Sequence, residues 1–164
     1  MADKHSAPRL KAPLLRDPVH FLALGFGSGL APFAPGTLGT LAAVPLYLLL
    51  QPLSLPIYVA VTALLFIVGV FICDLSARKL GVHDHPGIVW DEVVGYLVTM
   101  TAAPAGWHWL VVGFVLFRLF DILKPWPIRF IDQRVEGGFG IMLDDLLAGV
   151  MAALLLQVGA RWLL

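Results

Sequence analysis

Charge is what this sequence has least of. Only 13 % of its 164 residues are Asp, Glu, Lys or Arg, about half the share found in an ordinary soluble domain. The 11 basic residues balance the 11 acidic ones, so net charge offers no general pull on nucleic acid. Cysteine occurs once, at Cys73. That excludes a disulfide scaffold, and no Cys/His spacing suits zinc. Several phosphate-handling motifs are missing too. There is no Gly-Lys-Ser/Thr of a Walker A loop and no G-x-S-x-G elbow. There is no D-x-D-x-T/V nucleophile, and Cys73 to Arg78 reads CDLSAR, one residue short of C-x₅-R. What abounds is hydrocarbon. Apolar residues make up 59 % of the chain and mean hydropathy is +0.87, which excludes a disordered chain. A soluble domain of this length would struggle to bury so much, which points to an integral membrane protein.

The pattern predicts a small all-α bundle with short membrane helices. Residues 1–20 carry Lys4, Arg9, Lys11 and Arg16 among prolines and read as a loose cytoplasmic arm with no cleavage site. Residues 21–164 form one domain containing five apolar stretches. In the first, Gly25, Gly27, Gly29, Pro32, Pro35, Gly36 and Gly39 interrupt the run until Leu38–Leu50, so a short lead-in helix, a loop and then a membrane helix are expected. Ile57–Ser76 is long enough to span at about 1.5 Å per residue. Ile88–Ala103 and Trp107–Leu123 are short and are separated by Pro104-Ala105-Gly106. Ile141–Leu164 can span with tilt.

The charges are not scattered over this plan. The turns 51–56 and 104–108 carry none. The arm, residues 74–92 and residues 118–145 carry all of them except Arg161. The Lys/Arg bias makes that end cytoplasmic. The acidic residues gather at the same end, which the positive-inside rule does not require. Four stations stand out there: Asp84 between His83 and His85; Asp91-Glu92; Asp121; and Asp144-Asp145. Carboxylates in hydrocarbon are costly unless they are paired or metal-bound, and a set of hard oxygen ligands suits Mg²⁺.

Structural roles stay open for each. Asp91/Glu92 and Asp144/Asp145 fall near helix starts, where they suit the dipole. Asp121 ends a helix, with Lys124 available at i+3, and Asp74/Arg78 is a plain i,i+4 pair. His83 and His85 read as loop histidines. Arg129 and Arg134 suit interfacial anchoring to anionic lipid. Arg118 and Lys124, nearest to Asp121, are better placed to hold a phosphate. The run GFGSGLAPFAPGTLGT, with Thr37 and Thr40, could offer backbone N–H groups to an anion or simply break a helix.

The segments FAPGTLGT, HDHPGIVWDEVVG, FRLFDILKPWPIRFID and GGFGIMLDDLLAG together resemble the bacterial phosphatidylglycerophosphatase A family, in its order and over residues 25 to 150. The resemblance implies a Mg²⁺-dependent lipid phosphatase of the bacterial inner membrane, multi-pass, that converts phosphatidylglycerophosphate to phosphatidylglycerol on the route to cardiolipin. Asp84, Asp91, Glu92, Asp121, Lys124, Asp144 and Asp145 occupy its motif positions. On this reading Asp84, Asp91, Glu92, Asp121, Asp144 and Asp145 are the candidate metal ligands. Asp91, Glu92, Asp121 and Lys124 are the candidate catalytic groups. Arg118, Lys124 and Thr37 would meet the phospholipid head group at a cytoplasmic-facing site, and short third and fourth helices would indent the membrane there. Rival readings are a phosphatase for phosphatidate or a polyprenyl phosphate, a small membrane carrier, and a cytosolic helical domain whose acids cap its helices.

Overall fold

A computed structural model describes residues 9–163, so residues 1–8 of the expected arm and Leu164 lie outside the described residues. The described residues form helices and no strand. In chain order the α-helices are α1 (Pro18–Ala23), α2 (Pro35–Leu50), α3 (Leu55–Leu80), α4 (Trp90–Thr99), α5 (Trp107–Leu123), α6 (Ile128–Asp132) and α7 (Gly137–Leu163). Two of them, α3 and α7, are long and apolar enough to cross a membrane. Only 22 % of the most apolar window of α3 is buried inside the protein, against 50 % for α7. The outward face of α3 is therefore hydrocarbon without a protein partner, including Ile57, Leu64, Ile67 and Phe71. Exposed apolar side chains continue onto α2 at Leu41 and Leu49, α5 at Val111 and Val115, and α7 at Leu154 and Val158. An apolar surface of this extent marks a lipid-facing belt rather than the wet side of a soluble domain.

α4 is the hub. It packs on α7 above all, and also on α2, α3 and α5. At 10 residues it is about 15 Å long, too short to cross, and most of its side chains are buried. A helix that stops inside a bundle strands its last carbonyls away from water. A neighbouring side chain meets one of them, the Tyr58 hydroxyl donating to the Leu97 carbonyl at 2.6 Å. In the turn that follows the helix, Gln157 Nε2 donates to the carbonyls of Thr101 at 3.1 Å and Ala102 at 2.7 Å. The apolar stretch Ile88–Ala103 thus contains a shorter helix than its composition suggests, finished by an irregular turn. The core around it is dominated by Tyr96, Leu97, Met100, Phe117 and Leu156.

Residues 9–20 are not a loose arm. A 3-10 turn (Ala12–Arg16) leads into α1, whose first turn is capped by Asp17 accepting from the Val19 amide at 2.9 Å. Asp17 also meets Lys79 of α3 at 2.5 Å. His20 is buried and shares a 2.8 Å hydrogen bond with Ser76. Burial pulls the His20 pKa below its usual value, partly opposed by Asp17, and the Lys79 hydrogen bond pulls Asp17 down as well. A depressed histidine pKa contributes stability in full above its unfolded value of about 6.5, and that stability is lost as pH falls through the folded value. Docking of α1 on α3 should therefore loosen between pH 7.5 and pH 5.5 while the Asp17–Lys79 pair is still ionised. Limited proteolysis at the two pH values checks this, with faster cleavage near Arg16 expected at pH 5.5.

Candidate active site

A cavity of about 460 Å³ opens at the charged end of the bundle. Thr37, Asp84, Asp91, Glu92, Arg118, Asp121, Lys124, Asp144 and Asp145 all line it, so residues more than 100 positions apart meet in one place. The first turn of α4 supplies Asp91 and Glu92, the last two turns of α5 supply Arg118 and Asp121, and the second and third turns of α7 supply Asp144 and Asp145. α4 and α7 come close because both are glycine at the crossing. A Cβ on Gly149 would lie 2.5 Å from the Gly95 carbonyl oxygen, and one on Gly95 would lie 3.0 Å from that of Asp145. This seam fixes Asp145 against α4. Gly149→Ala should separate the helices, costing about 1–3 kcal/mol as an overpacked contact does and spreading the carboxylates. Gly159→Ala, with open space at its Cβ, is the control. Thermal unfolding in detergent should show a clear drop for the first and little change for the second.

Asp91, Glu92 and Asp145 each offer an oxygen within 4.8 Å of the other two. Asp145 is 2 % exposed. Asp91 Oδ1, Glu92 Oε2 and Asp145 Oδ2 are shut from solvent without a hydrogen-bond partner. Asp145 is also within hydrogen-bonding reach of Asp121, and Asp91 of Glu92. Like charges this close repel unless a proton or a cation stands between them. Three hard oxygen donors with orphaned lone pairs fit a divalent cation that takes carboxylates and water, and they offer nothing to a soft metal.

The other acids have protein partners. Asp121 pairs with Arg118, three residues earlier, and not with Lys124. Arg118 Nη1 also lies 3.7 Å from Glu92, yet its Nε and Nη1 are buried with no aligned acceptor. Lys124 is held by two carboxylates, Asp144 at 2.6 Å and Asp132 at 2.7 Å. Burial works against its charge, but those two acids outweigh that and raise its pKa above the ordinary lysine value. Asp132 has no prominence in the sequence. The KPWP turn folds it back onto Lys124, whose φ of 43° ends α5. Of the two loop histidines, His85 is buried, and the His83 ring accepts from the Gly137 amide at 2.9 Å. Asp74 pairs with Arg78 at 2.9 Å, as its spacing suggests.

The start of α2 also points at the cavity. Ala34 has a φ of 45° and caps nothing with its side chain, and Pro35 has no amide hydrogen. The helix therefore presents the uncapped amides of Gly36 and Thr37 there. Gly36 has no room for a side chain, since a Cβ would stand 2.2 Å from Glu92 Oε1 and 3.2 Å from the Arg118 guanidinium.

A family model described as phosphatidylglycerophosphatase A matches residues 21–160. The chain belongs to that family. The family's phosphatidylglycerophosphatase A of Escherichia coli K12 is 48 % identical over 150 residues, covering 90 % of this chain and 87 % of that one. The Haemophilus influenzae phosphatidylglycerophosphatase A is 47 % identical over 157 residues, covering 94 % and 96 %. A Bacteroides thetaiotaomicron protein provisionally named a phosphatidylinositol-3-phosphatase is 40 % identical over 153 residues, covering 87 % and 93 %. No solved structure matches the chain.

Proposed function

We propose that this protein hydrolyses the terminal phosphomonoester of phosphatidylglycerophosphate, giving phosphatidylglycerol and inorganic phosphate, at the cytoplasmic face of the bacterial inner membrane, with Mg²⁺ as its metal. Family membership sets the reaction class. The observation that carries the reading to this site is the meeting of Asp91, Glu92 and Asp145, their oxygens unpartnered, beside a buried arginine and an uncapped helix start.

Asp91, Glu92 and Asp145 would hold the cation. Bound Mg²⁺ would supply Lewis-acid polarisation of the phosphoryl group and lower the pKa of water. Arg118, whose buried Nε has no hydrogen-bond acceptor, and the amides of Gly36 and Thr37 receive the phosphate oxygens. Asp121 orients Arg118 and lies against Asp145, where it can accept a proton from an attacking water. Lys124 acts differently from the simplest expectation. Clamped between Asp132 and Asp144, it fixes the end of α5 to α7 and adds positive potential to the cavity. Asp84 closes the cavity from the loop before α4.

The placement fits a lipid substrate. The site is at the charged end of the bundle, beside Trp126, which is 81 % exposed and is a side chain that favours the head-group layer. α5 spans about 25 Å over its 17 residues, less than the ~30 Å hydrocarbon thickness, so the bilayer would thin beside it.

The test is phosphate release by the purified protein from phosphatidylglycerophosphate in mixed micelles. Release that requires Mg²⁺ and stops with chelator is expected. Release of no phosphate with any divalent cation would overturn the reading. The Bacteroides relative's name favours a second reading, in which the substrate is another lipid phosphomonoester. Competition between phosphatidylglycerophosphate and phosphatidylinositol 3-phosphate separates the two, because the true substrate saturates at the lower mole fraction.

A further inference from the structure

The rim of the cavity has two characters. On one side stand His83, Asp84 and Asp132. On the other side α2 and α5 flank it with little contact between them beyond Gly36 beside the Arg118 guanidinium, α2 packing chiefly on α4 and α5 chiefly on α7. The last two turns of α5 turn Arg118 and Asp121 inward. Ile122, the next residue, lines the cavity and is nonetheless 66 % exposed. Leu119, one turn back, is exposed as well. Opposite, Thr37 lines the cavity from α2, and Leu41, one turn further on, is exposed. Apolar surface therefore runs without interruption by charge from the cavity mouth onto the lipid-facing belt.

We propose that the lipid reaches the carboxylates sideways from the bilayer, through the gap between α2 and α5, with an acyl chain lying against Ile122, Leu119 and Leu41. The released phosphate leaves by the polar side. This rests on the phosphatase reading and adds the route and the residues that sense the lipid's tail. Its physical basis is that a lipid presented to a water-facing mouth alone would have to withdraw its chains from the membrane, and each exposed methylene makes that withdrawal less favourable. A mouth that is apolar on one side and polar on the other matches a molecule with the same two halves.

The experiment compares kcat/KM for long-chain phosphatidylglycerophosphate in mixed micelles with kcat/KM for its water-soluble short-chain form, in wild type, Ile122→Trp and Leu41→Trp. Bulk in the gap should lower the long-chain to short-chain ratio by about tenfold or more, chiefly through KM, as steric discrimination in apolar pockets does. The two variants come from different helices, so a folding failure in one leaves the other to decide. A ratio that stays at the wild-type value in a folded variant overturns the route, whether both rates fall together or neither moves. Wild-type protein inert on both substrates would instead remove the phosphatase reading itself.

Discussion

Replacing Asp145 by asparagine should abolish phosphate release while making the cation-free protein harder to unfold. The carboxylate is buried, one of its oxygens has no partner, and it faces Asp91, Glu92 and Asp121. Removing its charge takes away a cation ligand, and losing several kcal/mol of transition-state stabilisation corresponds to a fall in rate of about 10³-fold or more. The same substitution lifts like-charge repulsion and gives the site an amide donor that Asp121 can accept from. In the presence of chelator the variant should gain roughly 1–3 kcal/mol, the scale of an unsatisfied buried polar group. Added Mg²⁺ should raise the melting temperature of the wild type and leave the variant where it was. A purely structural carboxylate would behave oppositely, with stability falling and the cation response kept. Thermal melts with and without Mg²⁺, run beside the phosphate assay, distinguish the two.

The second large effect is expected at Arg118. It faces Asp121 and Glu92 from within the cavity wall, and its unaligned N–H groups are the proposed phosphate donors. Arg118→Met leaves two buried carboxylates without their cation, which costs about 3–5 kcal/mol. It should also lower kcat/KM by roughly 10²- to 10³-fold, the effect of removing a charge-assisted donor from a transition state. Arg118→Lys restores the charge but not the planar fork, so it should recover stability better than activity. Inorganic phosphate or vanadate should protect the wild type against unfolding and protect neither variant. Equal loss of stability and activity in the lysine variant would show that Arg118 only holds the helices together.

The carboxylate stations were legible in the sequence because they break apolar runs: Asp91-Glu92 after IVW, Asp144-Asp145 after GIML. What determines their partners was not. Asp144 and Asp145 are adjacent, yet one meets Lys124 and the other meets Asp91 and Glu92. Neighbouring residues on a helix point about 100° apart, so the choice depends on which face of α7 meets α4, and the Gly95–Gly149 contact decides that. Local spacing offered Asp121 a partner in Lys124, but α5 ends at Leu123, and Lys124 swings away into the left-handed region toward Asp144. That the Ile88–Ala103 stretch is short was legible, but that α4 is shorter still was hidden, because an apolar residue in its terminal turn looks the same as one in a helix. The order of residues 9–20 was hidden for another reason. It depends on the Asp17–Lys79 and His20–Ser76 pairs, and partners that distant leave no periodic trace. The bundle itself, its charged end and the family were legible because each rests on composition or on contiguous motifs.

The bare crossing of α4 over α7 has a consequence for how such a protein can vary. Each helix outside that crossing can trade one aliphatic side chain for another along its lipid-facing side, because a fluid medium accommodates any such shape. At Gly149 the neighbour is the main chain of Gly95, at Gly95 it is the Phe117 ring and the Asp145 carbonyl, and even a methyl group has nowhere to go. The chemistry is thus aligned in part by two places with no side chain at all, one helical turn from Asp91 and from Asp145, and a library of random single replacements should show marked intolerance there.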